Sequence, residues 1–181
     1  FAFIAGSSSG IQSKILQASP ILEAWGNSKT LRNNNSSRFG KYIEIWFDRH
    51  KSIIGASNTT YILEKSRVVR QDKNERNYHV FYQLLQGASV DVWREFYLIP
   101  AGAGNDVKPD MAQFHFINQS GCIEIDDVDD AKEFREANEA FDDIGFTKEE
   151  QHNLYRIVAG ILHLGNIQFV AQEEGSLIDP T

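Results

Sequence analysis

Asn33-Asn34-Asn35-Ser36-Ser37-Arg38 packs three amides, two hydroxyls and one guanidinium into six consecutive positions. Each type has a use in phosphate chemistry. A serine oxygen is a hard donor of the kind Mg2+ prefers. Asparagine amides and backbone N–H groups hold phosphate oxygens, and an arginine meets a phosphate or carboxylate with a planar fork. In nucleoside triphosphatases, a loop of this kind is ordered by the terminal phosphate and its Mg2+ and released after hydrolysis. The same letters also spell an ordinary solvated loop. They overlap the glycosylation triplets Asn34-Asn35-Ser36 and Asn35-Ser36-Ser37; Asn58-Thr59-Thr60 and Asn118-Gln119-Ser120 fit that pattern elsewhere. Taken on the residues alone, the solvated loop is the favoured reading.

Other reactive side chains give less. His50, His79, His115, His152 and His163 are scattered, and Cys122 is the single cysteine, so no zinc spacing and no disulfide is legible. One free thiol fits a reducing, intracellular compartment. His79 and His163 sit beside apolar positions of helical stretches and read as core histidines. Glu64-Lys65-Ser66-Arg67 has the makings of an ion-pair relay, but its structural reading is preferred. Asp126–Asp130 reads as a helix cap and solvated face. No G-x-x-x-x-G-K-[ST] loop occurs; Gly6-Ser7-Ser8-Ser9-Gly10 lacks the lysine. A formal net charge of −7 argues against a nucleic-acid footprint, and no apolar run approaches membrane-spanning length.

The elements that must position the polar loop are readable on both sides of it. Ile21, Leu22 and Trp25 form an apolar stripe, with Ser19 as cap, Pro20 at the first position and Gly26 as stop. Ile11, Ile15 and Leu16 recur at helical spacing before it. After the loop, Tyr42–Phe47 is a strand by its β-branched and aromatic content. Asp48–Lys51 is a turn, Ile53-Ile54 and Thr59–Leu63 return, and Gly55 marks a bulge or bend. Val68-Val69 reads as another short strand. Phe81, Leu84 and Leu85 with Gly87 give a helix, residues 100–110 a loop, and Phe114, Phe116 and Ile117 an extended piece. Two punctuated helices follow. One is capped by an aspartate of Asp126–Asp130 and stopped at Gly145. The other opens with the capping box Thr147/Glu150 and stops at Gly165. The Trp25, Phe81 and Phe141 stripes are core. Ile167, Phe169 and Val170 suggest a last strand. With 41% hydrophobic residues, the chain has the material for a packed core. Both ends are expected to continue into a larger protein.

The segments Ile15–Thr30 and Asn33–Ile45 resemble the switch I region of myosin motor domains. Tyr61–Val69, Glu75–Leu85, Ile117–Cys122 and Ile161–Ile167 resemble later stretches of that family in the same order, so the likeness covers nearly the whole chain. Kinesins share the Asn33-x-x-Ser36-Ser37-Arg38 pattern but usually continue with Ser-His; here Phe39-Gly40-Lys41 follows.

The resemblance implies an α/β fold: a partial P-loop NTPase-type motor core, part of a twisted mixed sheet with several surrounding helices. It divides the chain into a helix end and short surface loop (1–10), helices and switch I (11–41), transducer-like strands (42–70) and a mainly helical upper subdomain (71–181). It implies ATP and Mg2+ as ligands, with Asn33, Ser36 and Ser37 binding nucleotide. Ser37 would ligate the metal. Ser36 would contact the γ-phosphate and help place the attacking water. Arg38 would pair with a glutamate of switch II to close the site, and Gly40 would permit the turn into the strand. Asn27 and Lys29 are further candidates near the nucleotide; Asn34 and Asn35 are candidates for shaping the loop. Actin filaments and the rest of the motor domain are the implied partners, with no nucleic acid and no direct membrane contact, in the cytoplasm and cytoskeleton. Without a P-loop or switch II, the isolated chain is expected to be inactive and to expose apolar surface. The alternatives are a kinesin-type motor and a truncated relative that serves as an interaction module.

Overall fold

The computed structural model describes residues 17–171 and 175–178. The Phe1–Ala5 stub, the Gly6–Gly10 loop and the Ile11, Ile15 and Leu16 spacing lie outside the described residues. Helix α1 (Ser19–Gly26) comes first, with Pro20 in its first turn. Ala18, not Ser19, stands at its cap, and no side chain closes that end. Strands β1 (Asn27–Ser28) and β2 (Ser36–Ser37) flank the polar loop. Strands β3 (Gly40–Phe47) and β4 (Ile53–Tyr61) form the expected antiparallel hairpin. Its register shifts where Trp46 faces Gly55 and Phe47 faces Ile53, so Ile54 is the extra residue of a bulge beside Gly55. In the turn, Asp48 Oδ1 accepts from the N–H groups of His50 and Ser52, each at 2.8 Å.

Two expectations fail in the middle of the chain. Val68 does not start a strand: Lys65–Val68 is a 3-10 turn. Its path is set by tertiary bonds, because Asn77 Nδ2 donates to both Val68 O and Phe116 O at 2.8 Å. The expected extended piece at Phe114–Ile117 is extended only at Phe114 and helical from His115 on. Met111–Gln113 is a 3-10 turn capped by Asp110, and the short helix His115–Asn118 follows it.

The core is helical. Helix α2 (His79–Gly87) is buried at every residue from His79 to Leu85, and α1 and the two long helices Asp130–Ile144 and Lys148–Gly165 pack around it. Helix α3 (Val90–Glu95) is capped by Ser89 and sends Trp93 back to the end of α2, where its indole N–H donates to Leu84 O at 2.9 Å. Helix α4 (His115–Asn118) brings Ile117 into the centre. Helix α5 (Asp130–Ile144) starts at an Asp129 cap and ends at Gly145 with φ 97°, the left-handed turn that favours glycine. Helix α6 (Lys148–Gly165) opens with the complete Thr147/Glu150 capping box. Strands β5 (Phe169–Ala171) and β6 (Ser176–Ile178) pair at the end of the described chain. Among the described residues all strand pairing is antiparallel, in three two-stranded ladders.

One buried charge ties the segment ahead of α2 to the start of α5. Arg76 is fully buried, donates from Nη2 to both Asp130 oxygens at 2.9 and 3.0 Å, and lies 3.6 Å over the Tyr82 ring. This fixes the floor beneath the polar loop, since Arg76 N–H also donates to Lys29 O at 3.0 Å.

Candidate functional site

The polar loop is closed at its base by the β1–β2 ladder, with Asn27 opposite Ser37 and Ser28 opposite Ser36. The ladder grows out of the end of α1 and leads directly into β3. Arg38 N–H donates to Gly26 O at 2.8 Å, so the loop's exit returns to the last residue of that helix. The Phe39 ring lies on Gly26, where a Cβ would collide with it. A Cβ at Gly40 would likewise collide with the Tyr61 ring.

Inside the loop, Asn33 occupies the exposed tip. Its carbonyl oxygen accepts from Thr30 N–H at 2.8 Å, and its side-chain oxygen accepts from Asn35 N–H at 2.9 Å. Asn35 turns the other way and anchors the loop to three elements. Its Nδ2 donates to Glu23 of α1 at 2.9 Å; its Oδ1 accepts from Asn27 Nδ2 at 2.9 Å and lies 3.2 Å from His79 Nε2. Asn35 is therefore a loop-shaping residue. His79 is a core histidine, as read from its position; burial first, and then the nearby Arg76 charge, push it down to about 4. Lys29 points away, donating to Asn74 O at 2.7 Å.

Ser36, Ser37 and Arg38 come together at the loop's rim. The Ser36 hydroxyl accepts from Arg38 Nη1 at 3.2 Å, which leaves its own proton free to donate. The exposed Ser37 hydroxyl does the reverse. It donates to Phe39 O at 2.8 Å and keeps its lone pairs free. Arg38 Nε donates to Glu64 Oε2 at 2.6 Å. Asn33 is not part of this cluster; its side chain bonds within the loop.

Glu64, expected only as part of a structural charged run, reaches the rim itself. It accepts from Arg67 Nε at 2.8 Å as well as from Arg38. Partial burial raises its carboxyl, but the hydrogen bonds from Arg67 and Arg38 outweigh that and hold it below the ordinary range. Arg67 in turn reaches Glu75 at 2.9 Å, and Glu75 accepts from Leu31 N–H at 3.2 Å. Burial raises the Glu75 carboxyl too, and the Arg67 and Leu31 bonds lower it further than burial lifts it. The only signal was the alternation of charge in Glu64-Lys65-Ser66-Arg67. It hints at a relay, but not that one end lands on Arg38, 26 positions away. Among the described residues no cluster of three acidic, histidine or cysteine side chains stands ready to hold a metal.

Comparison with known proteins follows the same stretch of chain. A family model described as "Myosin head (motor domain)" matches residues 1–179. The chain is 45% identical over 172 residues to Myosin-14 of Arabidopsis thaliana, covering 94% of this chain and 10% of that protein. It is 46% identical over 168 residues to the Myosin IB heavy chain of Dictyostelium discoideum, covering 92% and 14%. Against unconventional myosin-Va of Gallus gallus it is 46% identical over 182 residues, covering 99% and 9%. The chain thus spans about a tenth of the length of these curated relatives.

Proposed function

The chain belongs to the myosin head family, and on that premise we propose that Asn33–Arg38 is the nucleotide-sensing loop, switch I, of an actin-activated ATPase motor. Family membership sets aside the kinesin-type alternative. The observation that carries the proposal is the complementary state of three side chains on one rim. Ser36 has a proton to give, Ser37 has lone pairs to give, and Arg38 Nη2 has no partner among the described residues.

That arrangement fits the group the family implies. A serine whose proton is spent on a backbone carbonyl presents a hard oxygen, the donor Mg2+ prefers. With one hydroxyl at the rim and no carboxylate cage among the described residues, the loop suits a cation held mostly by phosphate, water and oxygens from elsewhere in the motor. When bound, Mg2+ and the triphosphate supply the electrophilic phosphorus and the neutralising charge. Ser37 would hold the metal, and Ser36 would donate to a γ-phosphate oxygen and orient the attacking water. Asn33, at the exposed tip, would meet the phosphate chain with its side-chain amide. Arg38 would use its outer guanidinium edge for a switch II glutamate.

At the level of architecture, the β3–β4 hairpin would join a twisted mixed sheet of a P-loop NTPase-type core. The divisions at 1–10, 11–41, 42–70 and 71–181 would follow surface loop, switch I, transducer and upper subdomain. Actin filaments and the rest of the motor are the proposed partners, in the cytoplasm at the cytoskeleton; among the described residues no helix is long and apolar enough to cross a membrane.

The test uses the motor that contains this segment. Arg38→Ala is expected to slow single-turnover cleavage about a hundredfold or more while nucleotide binding stays within about threefold, as for loss of a group that acts mainly in the transition state. Ser37→Ala is expected to raise the Mg2+ needed for nucleotide retention by about tenfold. Normal cleavage by Arg38→Ala removes the proposal.

A further inference from the structure

The ion pairs around Glu64 form one continuous chain whose two ends lie on the same loop. Arg38 Nε donates to Glu64 at 2.6 Å; Arg67 Nε donates to the same Glu64 oxygen at 2.8 Å; Arg67 Nη1 donates to Glu75 at 2.9 Å; Glu75 accepts from Leu31 N–H at 3.2 Å. Leu31 stands near the loop's entry and Arg38 at its exit. The middle of the chain does not move freely. Arg67 is 6% exposed and also donates to Arg76 O at 3.1 Å, and its own carbonyl accepts from Gln71 at 2.6 Å. Glu64 is fixed by its backbone as well: its N–H donates to Arg38 O at 3.0 Å, and its carbonyl accepts from Tyr78 Oη at 2.8 Å.

The geometry at Arg38 decides what this chain is for. A guanidinium has five N–H donors in one plane. Glu64 takes the Nε edge, Ser36 takes Nη1, and the far Nη edge is left for an incoming anion. A flexible arginine would spend rotamer entropy to hold that edge in place at the moment of reaction; a braced one has already done so. Because Glu64 is itself shared with buried Arg67, it is held in place from behind and cannot follow Arg38 outward.

We propose that Glu64 is a positioning residue for Arg38 in the phosphate chemistry of this loop, braced by Arg67 and Glu75, so that the outer guanidinium edge is set before any ligand arrives. The inference rests on the nucleotide-loop reading above. It predicts a specific split. Glu64→Gln, in the motor that contains this segment, is expected to lower single-turnover cleavage about tenfold or more while nucleotide affinity stays within about threefold. Glu64→Asp keeps the charge but withdraws it by one methylene; it is expected to fall between the two, at about threefold below the unaltered motor. A purely structural glutamate would instead lower melting temperature and nucleotide affinity together.

Arg38→Ala serves as the control that separates the two readings. If Arg38→Ala is inactive and Glu64→Gln cleaves within about twofold of the unaltered motor, Glu64 does not position Arg38 and only this inference is lost. Faster cleavage by Glu64→Gln overturns it as well, because Glu64 would then be a competitor that Arg38 must leave. If Arg38→Ala cleaves normally, the loop assignment itself fails. Should Glu64→Gln not accumulate as folded protein, Glu64→Asp decides: a loss of about threefold with affinity kept supports the inference, and an unchanged rate overturns it.

Discussion

His79 shows what packing a titratable ring beneath the loop does to stability. Its Nε2 lies 3.2 Å from Asn35 Oδ1, and an amide oxygen can only accept, so that contact calls for the N–H form of this nitrogen. Burial, with the Arg76 charge behind it, brings the ring down to about 4 from 6.5. As pH falls from 6.5 towards 4, the unfolded chain takes up a proton that the folded chain refuses, so stability is lost across that window. A gap of this size corresponds to about 3 kcal/mol once pH is below both values. Burial raises Asp130 and Glu133, which take protons first in the folded state and offset part of the loss. Comparing His79→Gln with the parent isolates the histidine. Urea denaturation at pH 7, 5.5 and 4 should show the parent losing stability relative to the variant as pH falls. Parallel curves would mean that the imidazole is free to protonate in place. The lowered Glu64 and Glu75 carboxyls act at the acid end of this range and below it, contributing above 4.5 and losing that contribution as pH falls further.

Elements differ in how far their neighbours in sequence determine them. Thr147 accepts from Glu150 N–H at 3.2 Å while the Glu150 carboxylate accepts from Thr147 N–H at 2.8 Å, so α6 carries its start signal within four residues. Thr147→Ala should cost about 1 kcal/mol of unfolding free energy, read as a shift of the urea midpoint with unchanged slope. A change below about 0.3 kcal/mol would mean that tertiary packing, not the cap, sets the helix start. Such local punctuation is why α5, α6 and the β3–β4 hairpin were legible from sequence. The turn at Lys65–Val68 was not, because two valines favour a strand locally and Asn77 overrides them from nine positions away. Helix α3 has only six residues, too few for a helical period to declare itself. The same contrast runs through the site. Ser36 meets Arg38 because alternate residues of an extended stretch share a face, which sequence shows. The Glu64 and Asn35 contacts exist only once β4 has returned and α2 has packed under the loop.

For the molecule as a whole, the helices and the hairpins stand in different balance with water. Tyr82, Leu84, Leu85, Ile117 and Leu162 are fully enclosed in the helical core, each worth about 2 kcal/mol of burial. Among the described residues, the β3–β4 hairpin has only Ile53 buried, and no helix packs broadly along it. Tyr42, Trp46, Ile54 and Tyr61 are each at least half exposed, and Phe169, Val170, Leu177 and Ile178 repeat the pattern on β5–β6. Two-stranded ladders with unpaired edges are marginal in water and offer templates for further pairing. The 181-residue chain by itself is therefore expected to bind an apolar-surface dye and to self-associate at micromolar concentration. It should also lack measurable ATPase, with or without actin, since one loop supplies only part of the charge around a transferring phosphoryl group. Light scattering and dye fluorescence on the purified chain, beside a phosphate-release assay, decide the matter. A chain that stays monomeric and leaves the dye dark would mean that the hairpin faces are satisfied within the chain. Actin-stimulated phosphate release would mean that the loop completes its site without the rest of a motor.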